Sequence, residues 1–363
     1  MKDSILADDL VYIFNKLSKK DKEKLKGSTI LITGSGGFLG YYFMHFFFRF
    51  AEELHINKVI ALDNFLTGTK PWLKKLAAGN ERISYYEFDV INDDLDDVRD
   101  TAKANLIIHG ASIASPVFYR IYPLETMDAN VTGLRRILDY YRDKEIKGFI
   151  FFSSSEIYGD PFGNFIPTSE DYRGNVSTMG PRACYDEAKR YGETLCYVFH
   201  QKYNTPLRIA RPFNNYGPGM NINDKRLPAD FAKAIHEGKD LVIHSDGSPT
   251  RTFCYIADAI AGYLKVLLHD RFDVFNIGID KPEISVSEFA ELFISNAREI
   301  YDYKGNIRYK MADDKQYLTD NPNRRCPDIE KAKKLLDYQP EIYVKEGIGR
   351  YLTYLRNNKG ILI

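Results

Sequence analysis

Tyr185 and Lys189 stand four residues apart in GPRACYDEAKRYGETL, residues 180–195, a run that reads as an amphipathic helix. Side chains at i and i+4 share a helix face, so the phenol and the ammonium are neighbours. A tyrosine with an unperturbed pKa of about 10 is a poor base at neutral pH unless a positive charge stabilises its phenolate. Lys189 supplies that charge one turn away. Upstream, SSSEIYGD sets Ser154, Ser155 and Glu156 in a row. The hydroxyls suit a hydrogen bond to the same substrate oxygen that a phenolate would deprotonate. Glu156 reads either as an active-site carboxylate beside them or as a strand-end acid facing water. Cys184 adjoins Tyr185, but no His or carboxylate motif accompanies it, which makes it a packing thiol rather than a nucleophile.

A second constellation is TGSGGFLG, Thr33 to Gly40, between an apolar strand and a helix. Glycines at 34, 37 and 40 permit a tight turn. They let the backbone of Phe38 and Leu39 approach a pyrophosphate at the helix N-terminus, where free N–H groups and the helix dipole favour an anion. Asp63 closes the next strand, VIALD, 23 residues after Gly40, and Asn64 follows it. An acid there accepts hydrogen bonds from an adenosine ribose and repels a 2′-phosphate, so the expected cofactor is NAD rather than NADP. Asp89 and Val90, in EFDV after the third strand, are placed at the adenine, with a solvated strand-end Asp as the competing reading.

The elements that must position these groups alternate along the chain. Six apolar strands are expected over 28–34, 58–64, 83–90, 105–112, 148–156 and 206–213, with helices over 38–54, around 130–144 and through Tyr185. Strands apolar almost throughout, joined by helical crossovers, argue for an α/β protein: a Rossmann-type doubly wound parallel sheet covered on both faces. FMHFFFRF reads as a helix buried on most sides and too short to span a membrane. After residue 213 the loop NNYGPGMNIND opens a stretch of mixed short elements. This is the expected smaller α/β substrate-binding lobe, 214–363, with about 253–280 returning to the NAD-binding Rossmann domain of 28–213. Residues 1–27 read as a helical extension with a solvated Lys/Glu run and without a signal-peptide core.

Lys plus Arg and Asp plus Glu both number 50 in 363 residues, so no net charge draws the chain to nucleic acid or an anionic membrane. The four cysteines form no CxxC pair and the seven histidines show no ligand spacing. Reduced thiols of a cytoplasmic protein, and no metal site, are therefore expected.

The strings TGSGGFLG, GASIASPVFYR, SSSEIYGDP, GPRACYDEAKR, RIARPFNNYGPGMNIND, GSPTRTFCYIADAI and RRCPDIEKAKKLLDYQP occur in a telling order. Their order and approximate spacing resemble those of the extended short-chain dehydrogenase/reductases that act on nucleotide sugars, above all the UDP-glucuronate decarboxylase (UDP-xylose synthase) branch. The likeness covers about residues 28–340. It implies bound NAD, a UDP-linked sugar substrate and a homodimer through the Tyr185 helix. By position it also implies roles. Ser154 and Tyr185 flank the sugar 4-hydroxyl, with Tyr185 as base and Lys189 also holding the nicotinamide ribose. Glu156 lies near C5, while Tyr119, Arg182 and Asn214 touch substrate carboxylate, sugar or diphosphate. Arg251 and Arg325, arginines of the closing lobe, are implied to contact the substrate as well, as planar donors to its diphosphate or carboxylate. One departure stands out: the family usually reads GPRM where this chain has GPGM, so Gly219 lacks a cationic side chain.

The implied chemistry is oxidation of the 4-hydroxyl to a ketone, loss of the C6 carboxylate β to it as CO2, and return of hydride from NADH after reprotonation at C5. Two other readings stand beside this one. One is a nucleotide-sugar 4-epimerase or 4,6-dehydratase; dehydratases of the branch typically carry Asp-Glu where this chain has Ser155-Glu156. The other is a non-catalytic NAD-binding sensor, which would have no use for an activated phenol.

Overall fold

The computed structural model describes residues 4–311 and 319–358, so the first three residues of the extension read at 1–27 lie outside it. The strands β1 (Thr29–Thr33), β2 (Lys58–Asp63), β3 (Ile83–Glu87), β4 (Leu106–His109), β5 (Gly148–Phe152) and β6 (Leu207–Pro212) are the six expected from sequence. They form a seven-stranded sheet in the order β3-β2-β1-β4-β5-β6, completed by Val274–Ile277 beside β6, and every pairing is parallel. The seventh strand is only four residues long and carries a polar Asn276, which gave it no clear strand signature.

Successive side chains of a strand point to opposite faces. In β1, Ile30 and Ile32 join one apolar cluster and Leu31 the other. The helices up to residue 267 are, in chain order, α1 (Ser4–Lys16), α2 (Lys19–Leu25), α3 (Phe38–Phe50), α4 (Lys70–Ala78), α5 (Pro116–Ile121), α6 (Pro123–Asp128), α7 (Leu134–Tyr141), α8 (Ala183–Tyr203), α9 (Leu227–His236) and α10 (Ile256–Leu267). All but α5 and α6 supply those clusters, as do the later helices Val286–Tyr301, Glu330–Leu336 and Val344–Asn357. The apolar residues of α3 and α10 cover one face, those of α7 and α8 the other. As expected, α3 is buried on most sides, though it ends at Phe50 rather than residue 54.

Neighbouring β1 and β4 are the point where strand order reverses, so the loops after them diverge and leave a crevice at the carboxyl ends of the strands. Short ladders build the far wall. Thr250–Arg251 pairs with Ile284–Ser285 on one side and with Arg324–Arg325 on the other, which makes Arg251 and Arg325 register partners.

The N-terminal helices are fastened to both sides of the crevice. Leu6, Leu10 and Ile13 of α1 are buried, and Phe14 stacks on Phe50 of α3 at 4.4 Å. Asp9 is fully buried. It accepts hydrogen bonds from Tyr42 of α3 at 2.8 Å and Tyr255 at 2.7 Å, and pairs with Arg350 of helix Val344–Asn357 at 2.8 Å.

Candidate active site

One cavity of about 960 Å3 occupies the crevice, at the upper end of the roughly 300–1,000 Å3 common for ligand sites. It is lined by every residue singled out from the sequence as catalytic, cofactor-binding or substrate-binding. At one end the chain turns from β1 into α3. A Cβ on Gly34, at φ +71°, would lie 2.6 Å from the Gly110 carbonyl carbon, and one on Gly40 would lie 2.3 Å from the Ser35 oxygen. Only glycine lets this loop press against the start of the segment after β4 and lets α3 sit on its own loop. The first turn of α3, at Phe38 and Leu39, opens on the cavity, and first-turn N–H groups have no acceptor within their helix.

Asp63 faces that loop from the end of β2. Its two oxygens accept from the backbone N–H groups of Gly36 at 2.8 Å and Phe65 at 2.7 Å, while burial pushes its pKa up. The carboxylate is thus fixed in place at the cavity wall. Asn64 adjoins it and accepts from the Leu66 N–H at 3.1 Å. Asp89 is half-buried and engaged in its own turn, accepting from the Ile91 N–H at 3.0 Å and the Asn92 amide at 2.8 Å, beside buried Val90. Ser112 and Ser153 line the same cavity, and their buried hydroxyls have no hydrogen-bond partner among the described residues. A glycine cradle, a helix N-terminus, a fixed carboxylate and free buried hydroxyls are the groups a dinucleotide requires. These residues fit NAD.

At the middle of the cavity, β5 ends and the chain makes a tight turn over Ser155–Tyr158, with Ser154 as its cap accepting from the Glu156 N–H at 3.2 Å. The turn aims Ser154 and Glu156 at α8. Tyr185 and Lys189 lie one turn apart there, as their spacing predicts. Burial raises the Tyr185 phenol to about 12, and a hydrogen bond with Ser154 opposes that rise. Burial lowers the Lys189 ammonium to about 7. Its Nζ donates to the Phe152 carbonyl at 2.7 Å. Tyr119 stacks on Tyr185, 5.2 Å between ring centres and 13° from coplanar, and its buried hydroxyl has no partner among the described residues. Cys184 is half-buried, with its thiol raised by desolvation and bonded weakly to the Tyr119 carbonyl at 3.5 Å.

Beyond Tyr185, Glu156 is clamped rather than water-facing. Arg325 engages both its oxygens, with Nη2 to Oε2 at 2.5 Å, and Arg182 Nη2 reaches Oε2 as well. Burial opposes ionisation, yet the two guanidiniums outweigh it and hold this carboxyl well below the usual range. Arg251 is committed differently. Its fork donates to the carbonyls of Thr250 at 2.7 Å, Pro322 at 2.5 Å and Asn323 at 3.1 Å, so it braces the strand that carries Arg325. The Asn214 amide donates to the Thr252 carbonyl at 2.9 Å.

Sequence reasoning passed over Arg226, which lines the cavity at the N-cap of α9. Its guanidinium pairs with Asp224, with Nη2 to Oδ2 at 2.9 Å, and lies 5.8 Å from the Phe38 ring centre. The available signal was a cation at a helix N-terminus, where the dipole disfavours it unless an anion is near. Gly219 has a physical reason as well. At φ +82° a Cβ would lie 2.5 Å from Tyr41 Cδ1, so the Tyr41 ring fills the room a side chain would need.

Fold and site together define a Rossmann-type protein whose crevice carries a tyrosine–lysine pair at its middle and arginines on its far wall. The chain belongs to the NAD dependent epimerase/dehydratase family, whose description fits residues 30–278. It is 35% identical to UDP-glucuronic acid decarboxylase 6 of Arabidopsis thaliana over 319 residues, 88% of this chain and 86% of that protein. It is 34% identical to UDP-glucuronic acid decarboxylase 1 of Xenopus tropicalis, over 94% of this chain and 74% of that one. The structure of UDP-glucuronic acid 4-epimerase from Bacillus cereus, solved with UDP-glucuronic acid and NAD, superposes with a TM-score of 0.75 at 25% identity, covering 91% of this chain and 99% of that one. A dTDP-glucose 4,6-dehydratase from Streptomyces venezuelae shares the fold, with a TM-score of 0.78 at 21% identity over 92% of this chain and 98% of that one.

Proposed function

We propose that the protein decarboxylates UDP-glucuronate to UDP-xylose through a 4-keto intermediate. The observation that carries this reading is Glu156 beside Ser154 and Tyr185, held between two of the arginines that line the cavity, Arg182 and Arg325. A substrate bearing a carboxylate next to the reacting carbon has matching cations there, and a neutral hexose nucleotide does not need them.

Bound NAD+ supplies a reversible hydride acceptor, so the cycle uses no outside reductant. Tyr185 takes the proton of the sugar 4-hydroxyl, with Ser154 orienting the oxygen and the Lys189 charge favouring the phenolate. Ketone formation makes the C6 carboxylate β to a carbonyl; the C5–C6 bond electrons pass into an enolate as CO2 leaves. C5 then takes a proton and the 4-ketone is reduced to the pentose alcohol, with Tyr185 returning its proton. Ser155, in place of the aspartate typical of dehydratases, leaves no second acid to expel a C6 hydroxyl.

The protein is proposed to act as a cytoplasmic homodimer. Ile121, Leu124 and Met127 of α5 and α6, together with Tyr191, Tyr197 and Val198 of α8, are large exposed apolar side chains on neighbouring helices, an area suited to a second copy. All four cysteines are free, as a reducing compartment would leave them.

The test is to incubate the protein with UDP-glucuronate and identify products by mass. Release of CO2 with formation of a UDP-pentose, without added NADH and with deuterium at C5 in heavy water, is expected. A product of unchanged mass with inverted C4 would make it a 4-epimerase. Loss of water from a neutral hexose nucleotide, with UDP-glucuronate untouched, would make it a dehydratase.

A further inference from the structure

Arg182 sits between two carboxyl groups and hydrogen-bonds only one of them. Its Nη2 reaches Glu156, whereas its Nε, 3.7 Å from Asp186 Oδ2, has no hydrogen-bond acceptor among the described residues. Asp186 Oδ1 in turn has no donor there. Both side chains are only 5% exposed. Buried polar atoms without partners are uncommon and destabilising. Arg182 Nε is without an acceptor only 3.7 Å from Asp186 Oδ2, and shortening that gap to about 2.9 Å makes an ordinary N–H···O bond, which marks an alternative pairing. The residues turned towards Asp186 are Arg182 on its own helix, Glu156 from the turn after β5, Arg325 from its strand and Asp320 from the segment before it. Tyr119 of α5 and Tyr185 are within electrostatic reach as well. Burial, reinforced by the Glu156 charge, raises the Asp186 carboxyl and keeps a proton on it while Glu156 is ionised.

We propose that Asp186 is a positioning residue that competes with Glu156 for Arg182, and that the exchange leaves Glu156 protonated when C5 must be protonated. This rests on the decarboxylase reading. When the substrate carboxylate takes Arg325, Glu156 keeps only Arg182. Arg182 then turns its Nε to Asp186, which ionises, and Glu156 gains one proton, so the cluster's charge is unchanged. That proton passes to C5 as the enolate collapses, after CO2 has carried away the carboxyl carbon. Solvent restores the proton to Asp186.

Asp186→Asn isolates the exchange, since an amide copies the shape of the protonated acid but cannot ionise. The fold, checked by thermal melting, and NAD affinity should match wild type. With UDP-glucuronate, kcat should fall at least about tenfold while KM changes little, and a UDP-4-ketopentose should accumulate together with NADH because CO2 loss outruns protonation at C5. Asp186→Glu should restore turnover and remove the accumulated ketone. Wild-type kcat and product partition in Asp186→Asn would overturn the proposal, as would an equal loss in Asp186→Glu with no ketone in either. In the wild-type protein itself, difference infrared spectra on adding UDP-glucuronate should show one buried carboxylic-acid band replaced by another; an unchanged carboxylic-acid region would overturn it without recourse to variants. Wild-type protein releasing no CO2 from UDP-glucuronate would instead remove the decarboxylase reading on which the proposal stands.

Discussion

The Lys189 ammonium lies 5.6 Å from the centre of the Tyr185 ring and is tied at 2.7 Å to the carbonyl of Phe152. Any effect of its charge on the phenol is therefore exerted at a distance rather than through a direct hydrogen bond. With the phenol raised to about 12 by burial, a further positive charge is needed to make it a base near neutrality, and an oxidised nicotinamide ring bound beside it would supply that charge. The phenolate absorbance of Tyr185 should thus appear at lower pH with NAD+ than with NADH. Tyr185→Phe should bind NAD normally and form no NADH on adding substrate. Turnover at near wild-type rate in Tyr185→Phe would show that another group is the base.

Lys189 also makes a stability prediction. A lysine whose folded pKa falls from 10.5 to about 7 binds fewer protons folded than unfolded between those values, so stability rises with pH across that window and the cost of the buried charge is full below it. Lys189→Met should weaken NAD binding and turnover together, yet melt no lower than wild type when scanned below about pH 7. A melting point well below wild type there would mean that the ammonium stabilises the fold.

Asp63 is fastened by the N–H groups of Gly36 and Phe65, so it cannot swing away from an incoming 2′-phosphate. Direct titration should give tight NAD(H) binding and much weaker NADP(H) binding. Asp63→Ala should weaken the first and narrow the gap between the two. Equal affinity of the wild type for both cofactors would contradict this account.

How much of this was legible in the sequence differs by element, for physical reasons. Five of the six strands announced themselves because strands buried on both faces are apolar almost throughout, as TILIT is at its centre, whereas β3, ISYYE, is only partly buried and carries a weaker signal. The Tyr185–Lys189 pair was legible because helix periodicity converts a spacing of four into adjacency. Long-range pairing was not. Nothing in the spacing of Glu156, Arg182 and Arg325 reveals that two arginines, one 169 positions away, close on one carboxylate. Arg251 and Arg325 looked equivalent as motif arginines, yet only Arg325 faces Glu156, whereas Arg251 binds backbone. Asp9 looked like one acid among many in a polar extension, and its burial depends on three partners far along the chain.

Glu156 should act in the chemistry and not in cofactor binding. Glu156→Gln keeps the shape and removes the charge that two guanidiniums hold, leaving Arg182 and Arg325 unneutralised. Turnover should drop by about a hundredfold or more, with NAD affinity within about twofold of wild type. Parallel loss of both, measured by titration and by product formation, would make the residue structural.

Gly219→Arg should not recover the cation that the family-like string lacks. The positive φ and the 2.5 Å approach to the Tyr41 ring make any side chain there collide. A loss of about 1–3 kcal/mol in denaturant unfolding is expected, and Gly219→Arg combined with Tyr41→Ala should recover part of it by vacating the space. A Gly219→Arg protein as stable as wild type would show that the Tyr41 ring moves aside freely.

The N-terminal extension should be a fastening, with Asp9 as its pin. Asp9 links α1 to α3 through Tyr42, to the start of α10 through Tyr255 and to helix Val344–Asn357 through Arg350. Asp9→Ala leaves the buried Tyr42 and Tyr255 hydroxyls without an acceptor, whereas Arg350 keeps Glu346 at 2.7 Å. The expected cost is about 2–3 kcal/mol at low pH, where wild-type Asp9 carries no ionisation penalty, and it shrinks as pH rises through about 6. Asp9→Asn behaves differently, because burial raises the Asp9 carboxyl from 3.8 to about 6. A raised carboxyl binds its proton more tightly in the folded protein than in the unfolded one. Wild-type stability is therefore undiminished below 3.8, falls as pH rises through about 6, and the penalty of roughly 3 kcal/mol is full above that. The amide, which mimics the protonated acid, escapes this penalty. The difference in unfolding free energy between Asp9→Asn and wild type should shift towards the variant by up to that amount from low to neutral pH. A difference that stays flat across the window would show that the Arg350 pairing holds Asp9 ionised throughout.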